Sequence, residues 1–226
     1  MNYIQPDGIS IQVSLSGFSF KIGGADAHSS SWLGADRIFN TPELQRSYSR
    51  VEIALLTPKC TLVPTRFFDP ARIREALSDV VDIRPQDEVC HIQVPAYDAE
   101  LIYSNSIDEA LSRALAHTVS DGSGKPAQVL PEMYFILRDL QFCPDYNKIL
   151  VSYKDGWLHL AIGQGRTLLL ANTFRAVDFT TAEYFIFNAL HSLQLNPEMS
   201  TVCFRTHLEP EEELSLYRYF KDVAQV

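Results

Sequence analysis

The sequence is short of basic residues, of cysteine and of long apolar runs, and each shortage removes a class of function. Lys and Arg number 19 against 28 Asp and Glu, a formal net charge of −9. No cluster of four or more Lys or Arg interrupts that balance. The chain therefore lacks the basic footprint that a phosphate backbone or an anionic lipid surface calls for. Its four cysteines, Cys60, Cys90, Cys143 and Cys203, stand at least 30 residues apart, so no CxxC pair exists. A zinc site has nothing to start from at that spacing. Three of the four lie in apolar, strand-like surroundings, as buried reduced thiols of a cytoplasmic protein do. No apolar run reaches seven residues, too few to cross a bilayer as a helix. The opening MNYIQPDGIS has neither the basic stretch nor the apolar core of a signal peptide. The expectation is a cytoplasmic protein that binds neither nucleic acid nor membrane.

What is present is an ordinary globular composition, with 46% hydrophobic and 21% charged residues in 226. That length makes one large domain or two small ones, able to bury roughly 70% of the unfolded surface without a staple. Ile9, Ile11, Val13 and Leu15 alternate with polar residues, the two-residue period of a half-buried strand. Ser16-Gly17 can turn the chain, and Phe18, Phe20 and Ile22 continue the alternation outward, which makes a hairpin. Residues 23–40 are rich in Gly, Ser, Ala and Asp and read as a loop. Thr41-Pro42 opens a short helix to about Tyr48, and Asp69-Pro70 a second to about Val81. Strands are expected at 51–56, 60–63, 88–94 and 99–103. Ser106 and Glu109 are spaced as a capping box. Residues 119–128 read as a flexible segment, followed by a helix from Pro131 to about Leu140.

The last third reads most clearly. Strands at 148–153, 157–162 and 166–171 are joined by Lys154-Asp155-Gly156 and Gly163-Gln164-Gly165, a three-stranded meander. Thr180 and Glu183 are spaced as a capping box before an apolar helix that Asn196-Pro197 stops. A strand at 201–206 follows. Glu209-Pro210 then opens a terminal helix with three glutamates in its first turn, where the helix dipole favours anions. Three antiparallel strands, a crossover helix and a further strand form a ribonuclease-H-like unit. The N-terminal half repeats the pattern more faintly. The expected fold class is α/β with mixed sheets: two tandem ribonuclease-H-like units in an actin-like ATPase architecture, with lobes at 1–145 and 146–226.

The segment LLLANTFRAVDFTTAEYFIFNALHSLQLNPE (168–198) resembles the C-terminal signature of a bacterial domain-of-unknown-function family. The matching positions are Asn172, Phe174, Thr181, Glu183, Tyr184, Gln194, Leu195 and Pro197. The stretches IQVSLSGFSF and CTLVPTRFFD (60–69) are also similar to it. The resemblance implies an actin-like ATPase fold and supplies no catalytic residues.

An actin-like ATPase holds nucleotide phosphates between two hairpins, each with an aspartate near its turn to position magnesium and water. Here the first hairpin reads Ser14-Leu15-Ser16-Gly17-Phe18. Serine cannot supply the negative charge that holds Mg²⁺. The second reads Tyr153-Lys154-Asp155-Gly156-Trp157, and Asp-Gly is also the commonest two-residue hairpin turn. Trp157 and Leu158 are bulky where a phosphate loop wants small residues. The first strands of both units, 9–15 and 148–153, carry no carboxylate for a two-metal nuclease. The six histidines show no metal spacing, and His159 and His191 read as surface or core-edge residues. No GxSxG elbow exists. Asp79 with Asp82, and Asp87 with Glu88, read as a solvated helix end and loop near Pro85. Tyr217, Tyr219 and Phe220 on the terminal helix read as core packing.

These residues point to a non-catalytic protein of actin-like fold that binds another protein or a second copy of itself, with no cofactor and no metal. The contact regions would be the 23–40 loop with Trp32 and Phe39, the 119–130 loop, and the cleft between the units. The alternative is a divergent nucleotide binder taking ATP with Mg at Ser14, Ser16, Gly17, Asp155 and Gly156.

Overall fold

The structure, a computed structural model, describes residues 8–23, 27–104 and 127–226. The helix expected after Ser106 and the segment 119–126 lie outside those residues. In space the chain gathers into two units, Met1–Thr57 with Asn105–Pro131, and Pro58–Ser104 with Glu132–Val226. The sequence reading of lobes at 1–145 and 146–226 follows element order. The grouping differs because residues 58–104 and 132–145 share a core with the C-terminal strands.

The first unit is built on one sheet. Its strands are β1 (Gly8–Ser14), β2 (Gly17–Ile22), β3 (His28–Ser29), β5 (Arg50–Leu55) and β9 (Val129–Pro131), in the order β3-β2-β1-β5-β9. The short β4 (Leu33–Gly34) pairs off this path with β2. β1 and β2 form the expected antiparallel hairpin, with Ile11 opposite Phe20 and Val13 opposite Phe18. These side chains share one buried face with Ile38 and Leu44. β5 runs parallel to β1, and β9 parallel to β5. The loop expected at 23–40 contains β3, β4 and a 3₁₀ helix at Ala35–Asn40. The helix expected over 41–48 is a 3₁₀ turn at Pro42–Gln45. Leu44 and Tyr48 give that stretch a single i,i+4 apolar pair, too little to offset helix nucleation.

The second unit holds two sheets. The larger contains β10 (Asn147–Lys154), β11 (Trp157–Gln164), β12 (Thr167–Arg175), β13 (Thr201–Phe204) and β14 (Asp222–Gln225), in the order β12-β11-β10-β13-β14. The smaller contains β6 (Cys60–Pro64), β7 (Val89–Val94) and β8 (Ala99–Ser104), in the order β6-β8-β7. Helix α1 (Ile73–Ser78) follows β6 and is shorter than the expected 70–81, since Leu77 is its one buried residue. Helices α2 (Glu132–Asp139), α3 (Phe179–Ser192) and α4 (Pro210–Leu216) complete the unit.

Strand alternation decides what each helix covers. Ile149 and Val151 point to α3 and α4, where they meet Ile186, Leu190 and Leu216. Leu150 and Cys203 point the other way, to Met133, Ile136 and Leu137 of α2 and to Leu101 of β8. Phe220 is buried, whereas Tyr217 and Tyr219 are about half exposed, so only part of the terminal aromatic set is core. The N-cap of α3 is Asp178, not Thr180. Its carboxylate accepts from the Thr181 N–H at 2.7 Å and from the Thr181 hydroxyl at 2.6 Å. Those bonds hold the Asp178 carboxyl below its usual pKa. Glu209 and Glu212 form the capping box of α4.

Candidate functional site

The first hairpin turn brings Ser14, Ser16 and Gly17 together. The two serine hydroxyls lie 3.1 Å apart, and the Ser16 N–H donates to Ser14 Oγ at 3.2 Å. The Trp32 indole N–H donates to Ser16 Oγ at 3.2 Å. Gly17 is required by close approach of the chain's own backbone. It sits opposite Gly34 in the β2–β4 pair, and a Cβ there would lie 2.0 Å from the Leu33 carbonyl oxygen. Trp32, expected at a partner surface, is half-buried and lies across this turn. Phe39 is exposed.

The second turn holds Asp155 and Gly156 in the left-handed region, at φ 53° and 74°. That is the pair of conformations a type I′ hairpin demands, and Asp-Gly is suited to it. The Ala176 N–H donates to the Gly156 carbonyl at 2.9 Å. The Arg175 guanidinium stacks 5.0 Å from the centre of the Trp157 ring. A Cβ on Gly156 would meet Arg175 Nη1 at 3.3 Å and the Ala176 oxygen at 3.4 Å. Each turn packs against groups of its own unit on one side, while Leu15, Ser16 and Asp155 at the tips are exposed. The five candidate residues fall as three in the first unit and two in the second.

The sequence reading missed a buried polar cluster under α2. Glu132, the first residue of the helix, is fully buried. It accepts from Arg205 Nε at 2.8 Å and from the Ser152 hydroxyl. Arg205 also bonds Asp139, whose carboxylate takes two bonds from Arg138 at 2.6 and 2.9 Å. Both guanidiniums lie over the Phe135 ring, at 5.0 Å for Arg138 and 5.5 Å for Arg205. His159 stands opposite Ser152 in the β10–β11 register and is fully buried, which corrects its reading as a surface or core-edge residue. The Ser152 hydroxyl donates to Glu132, so this set lacks the order of a catalytic triad, where the serine proton goes to histidine. The only sequence signal was a serine inside the apolar run KILVSYK. Asp87, read as solvated, is buried against Lys59 and accepts from the Arg84 N–H at 3.0 Å. Among the described residues no group of three or more His, Cys, Asp or Glu is placed to hold a metal ion.

The family described as Protein of unknown function (DUF3822) matches residues 5–223. The chain belongs to that family. The DUF3822 chain is also similar to solved structures. One is a protein with actin-like ATPase fold and unknown function from Bacteroides thetaiotaomicron. It is 18% identical over 99% of this chain and 91% of that one, with a TM-score of 0.65. Another is the cytoplasmic domain of EpsL, an inner membrane component of the type II secretion system of Vibrio cholerae. It is 14% identical over 90% and 83% of the two chains, with a TM-score of 0.50. A third is the PilM-PilN type IV pilus biogenesis complex, 11% identical over 97% and 88%, with a TM-score of 0.52. No curated protein matches. The fold is therefore that of the actin-like ATPases, as the strand order indicates. Likeness at these identities carries the fold and not the activity. No helix among the described residues is long and apolar enough to cross a membrane.

Proposed function

We propose that this DUF3822 protein is a non-catalytic member of the actin-like fold that acts by binding a protein, either another chain or its own copy. The observation that carries this reading is the first hairpin turn, where Ser14, Ser16 and the Trp32 indole bond one another and no carboxylate stands from Ser14 to Phe18. Phosphate binding in this fold class needs open backbone amides and a carboxylate to hold the cation. Here Trp32 takes up the Ser16 hydroxyl, and Gly17 lies against the Leu33 backbone. Serine stands at both candidate positions of the first turn. Two of the similar structures support the reading from outside: EpsL is a component of a secretion system, and PilM-PilN is a complex. A chain of net charge −9 is a poor partner for nucleic acid. Four free thiols suit a reducing compartment such as the cytoplasm.

The test is chemical crosslinking of the intact chain in cells, with light scattering of the purified protein alongside. A recurrent crosslinked protein or a defined dimer is the expected result. A monomer that crosslinks to nothing contradicts the reading. A divergent nucleotide site at Ser14, Ser16, Gly17, Asp155 and Gly156, holding ATP with Mg, is the competing outcome.

A further inference from the structure

In the second unit the smaller sheet and the β11–β12 hairpin enclose a cavity of about 490 Å³. Its floor is one face of β6, onto which the alternate residues Leu62 and Pro64 project. Tyr97 and Asp98, in the connection between β7 and β8, form a second wall. Arg166 and Leu168, at the β11–β12 turn and the start of β12, form the third. At the far end of β6 the two sheets close on each other, with Cys60 Sγ 3.9 Å from Thr173 Oγ1.

Two of the lining residues are charged, and they are of opposite sign: Asp98 and Arg166. Both are exposed. Among the described residues neither side chain bonds another group of the chain, and no ion pair joins the two. The backbone under each is nevertheless pinned. Asp98 stands in the left-handed region at φ 49°. Its carbonyl accepts from the Thr65 N–H at 2.9 Å, and its own N–H donates to the Pro95 carbonyl at 3.4 Å. Arg166 lies in the two-residue turn between the paired Gln164 and Thr167, where the Gly165 N–H donates to the Tyr146 carbonyl at 2.8 Å. An acid and a base thus border one cavity on fixed turns, over a largely apolar surface.

That arrangement selects an occupant. A ligand that covers both charges but answers only one strips water from the other without replacing it. One that carries an ammonium and a carboxylate answers both with charge-assisted hydrogen bonds, two of them parallel at the guanidinium. The apolar surface between them takes an apolar side chain. The volume lies within the range of about 300–1,000 Å³ that small-molecule sites occupy.

We propose that this cavity binds a small zwitterion with an apolar side chain, a free amino acid or a short peptide. Its ammonium faces Asp98, its carboxylate faces Arg166, and its side chain lies against Leu62, Tyr97 and Leu168. The site goes beyond the protein-binding role proposed above and does not depend on it.

The test is calorimetric titration of the intact protein with leucine, phenylalanine and the dipeptide Leu-Leu. The tightest of the three is then compared with its N-acetyl and its amide forms, each short of one charge, and with glycine, which has no side chain to bury. At least one of the three is expected to bind at millimolar concentration or below, and the order among them separates a free amino acid from a peptide. Each blocked form and glycine should bind at least tenfold more weakly. Asp98→Asn, in which asparagine tolerates the left-handed backbone, should bind the free and N-acetyl forms alike. Arg166→Gln should bind the free and amide forms alike. Thermal melting confirms that both variants are folded. Binding by none of the three overturns the proposal. So does a blocked form or glycine that binds the unaltered protein as well as the free ligand, or discrimination that survives in either folded variant.

Discussion

At the residue scale the strongest constraints are a glycine and two carboxylates. A methyl group on Gly17 would overlap the Leu33 backbone oxygen, which cannot swing aside, whereas one on Gly34 meets the movable Asp36 carboxylate at 2.6 Å. Gly17→Ala is expected to cost about 1–3 kcal/mol by overpacking, and Gly34→Ala less, in urea unfolding. Arg205 bridges the buried Glu132 and the largely buried Asp139. Arg205→Ala removes the guanidinium bonded to buried Glu132 and should cost about 3–5 kcal/mol, while replacing Arg205 and Glu132 together by methionine should cost much less. Equal losses in the single and double variants would contradict that account. Asp145 is held by Lys221 Nζ and by the Thr201 N–H, both at 2.7 Å, and its pKa is drawn down to about 2, chiefly by the Lys221 bond. Its contribution is complete above the unfolded carboxylate value of about 4 and fades as pH falls towards 2. Asp145→Asn should lose about 1.5–3 kcal/mol at neutral pH. Its stability curve should meet that of the unaltered protein near pH 2.

At the element scale the turns and strands were legible because their signals are local. The Asp155-Gly156 turn lies where its left-handed dihedrals demand it, and the meander follows. Helix lengths were harder to read, since they depend on what each turn packs against. The stretch 41–48 has the right opening residues but one apolar pair, and settles as 3₁₀. The cap of α3 was misplaced because Asp178, Thr180 and Thr181 all have capping chemistry; backbone geometry chooses Asp178. Asp178→Ala should therefore cost about 1 kcal/mol and Thr180→Ala close to nothing. Thermal melting of the two variants checks this, and a larger loss at Thr180 would contradict it. The buried cluster at Glu132 was not legible. Its members lie up to 73 residues apart in the chain, and nothing local marks Arg205 as a partner of an acid in α2.

At the scale of the molecule the duplication is visible in the sheets. β3-β2-β1-β5-β9 and β12-β11-β10-β13-β14 share one sequence of pairings: antiparallel, antiparallel, parallel, parallel. That repeat could be read from the C-terminal third and extended backwards. The insertion of β6, β7 and β8 into the second unit could not, because the grouping is made by core contacts distant in sequence. The proposed binding role, as against nucleotide chemistry, turns on whether the two hairpin turns accept a triphosphate. Thermal melting of the intact chain with millimolar Mg-ATP asks that directly. The account expects an unchanged midpoint. A ligand at a hundred times its dissociation constant would add about 2.7 kcal/mol, or roughly 5 °C and more for a chain of this size. A rise of that order, abolished by Asp155→Ala, would contradict it.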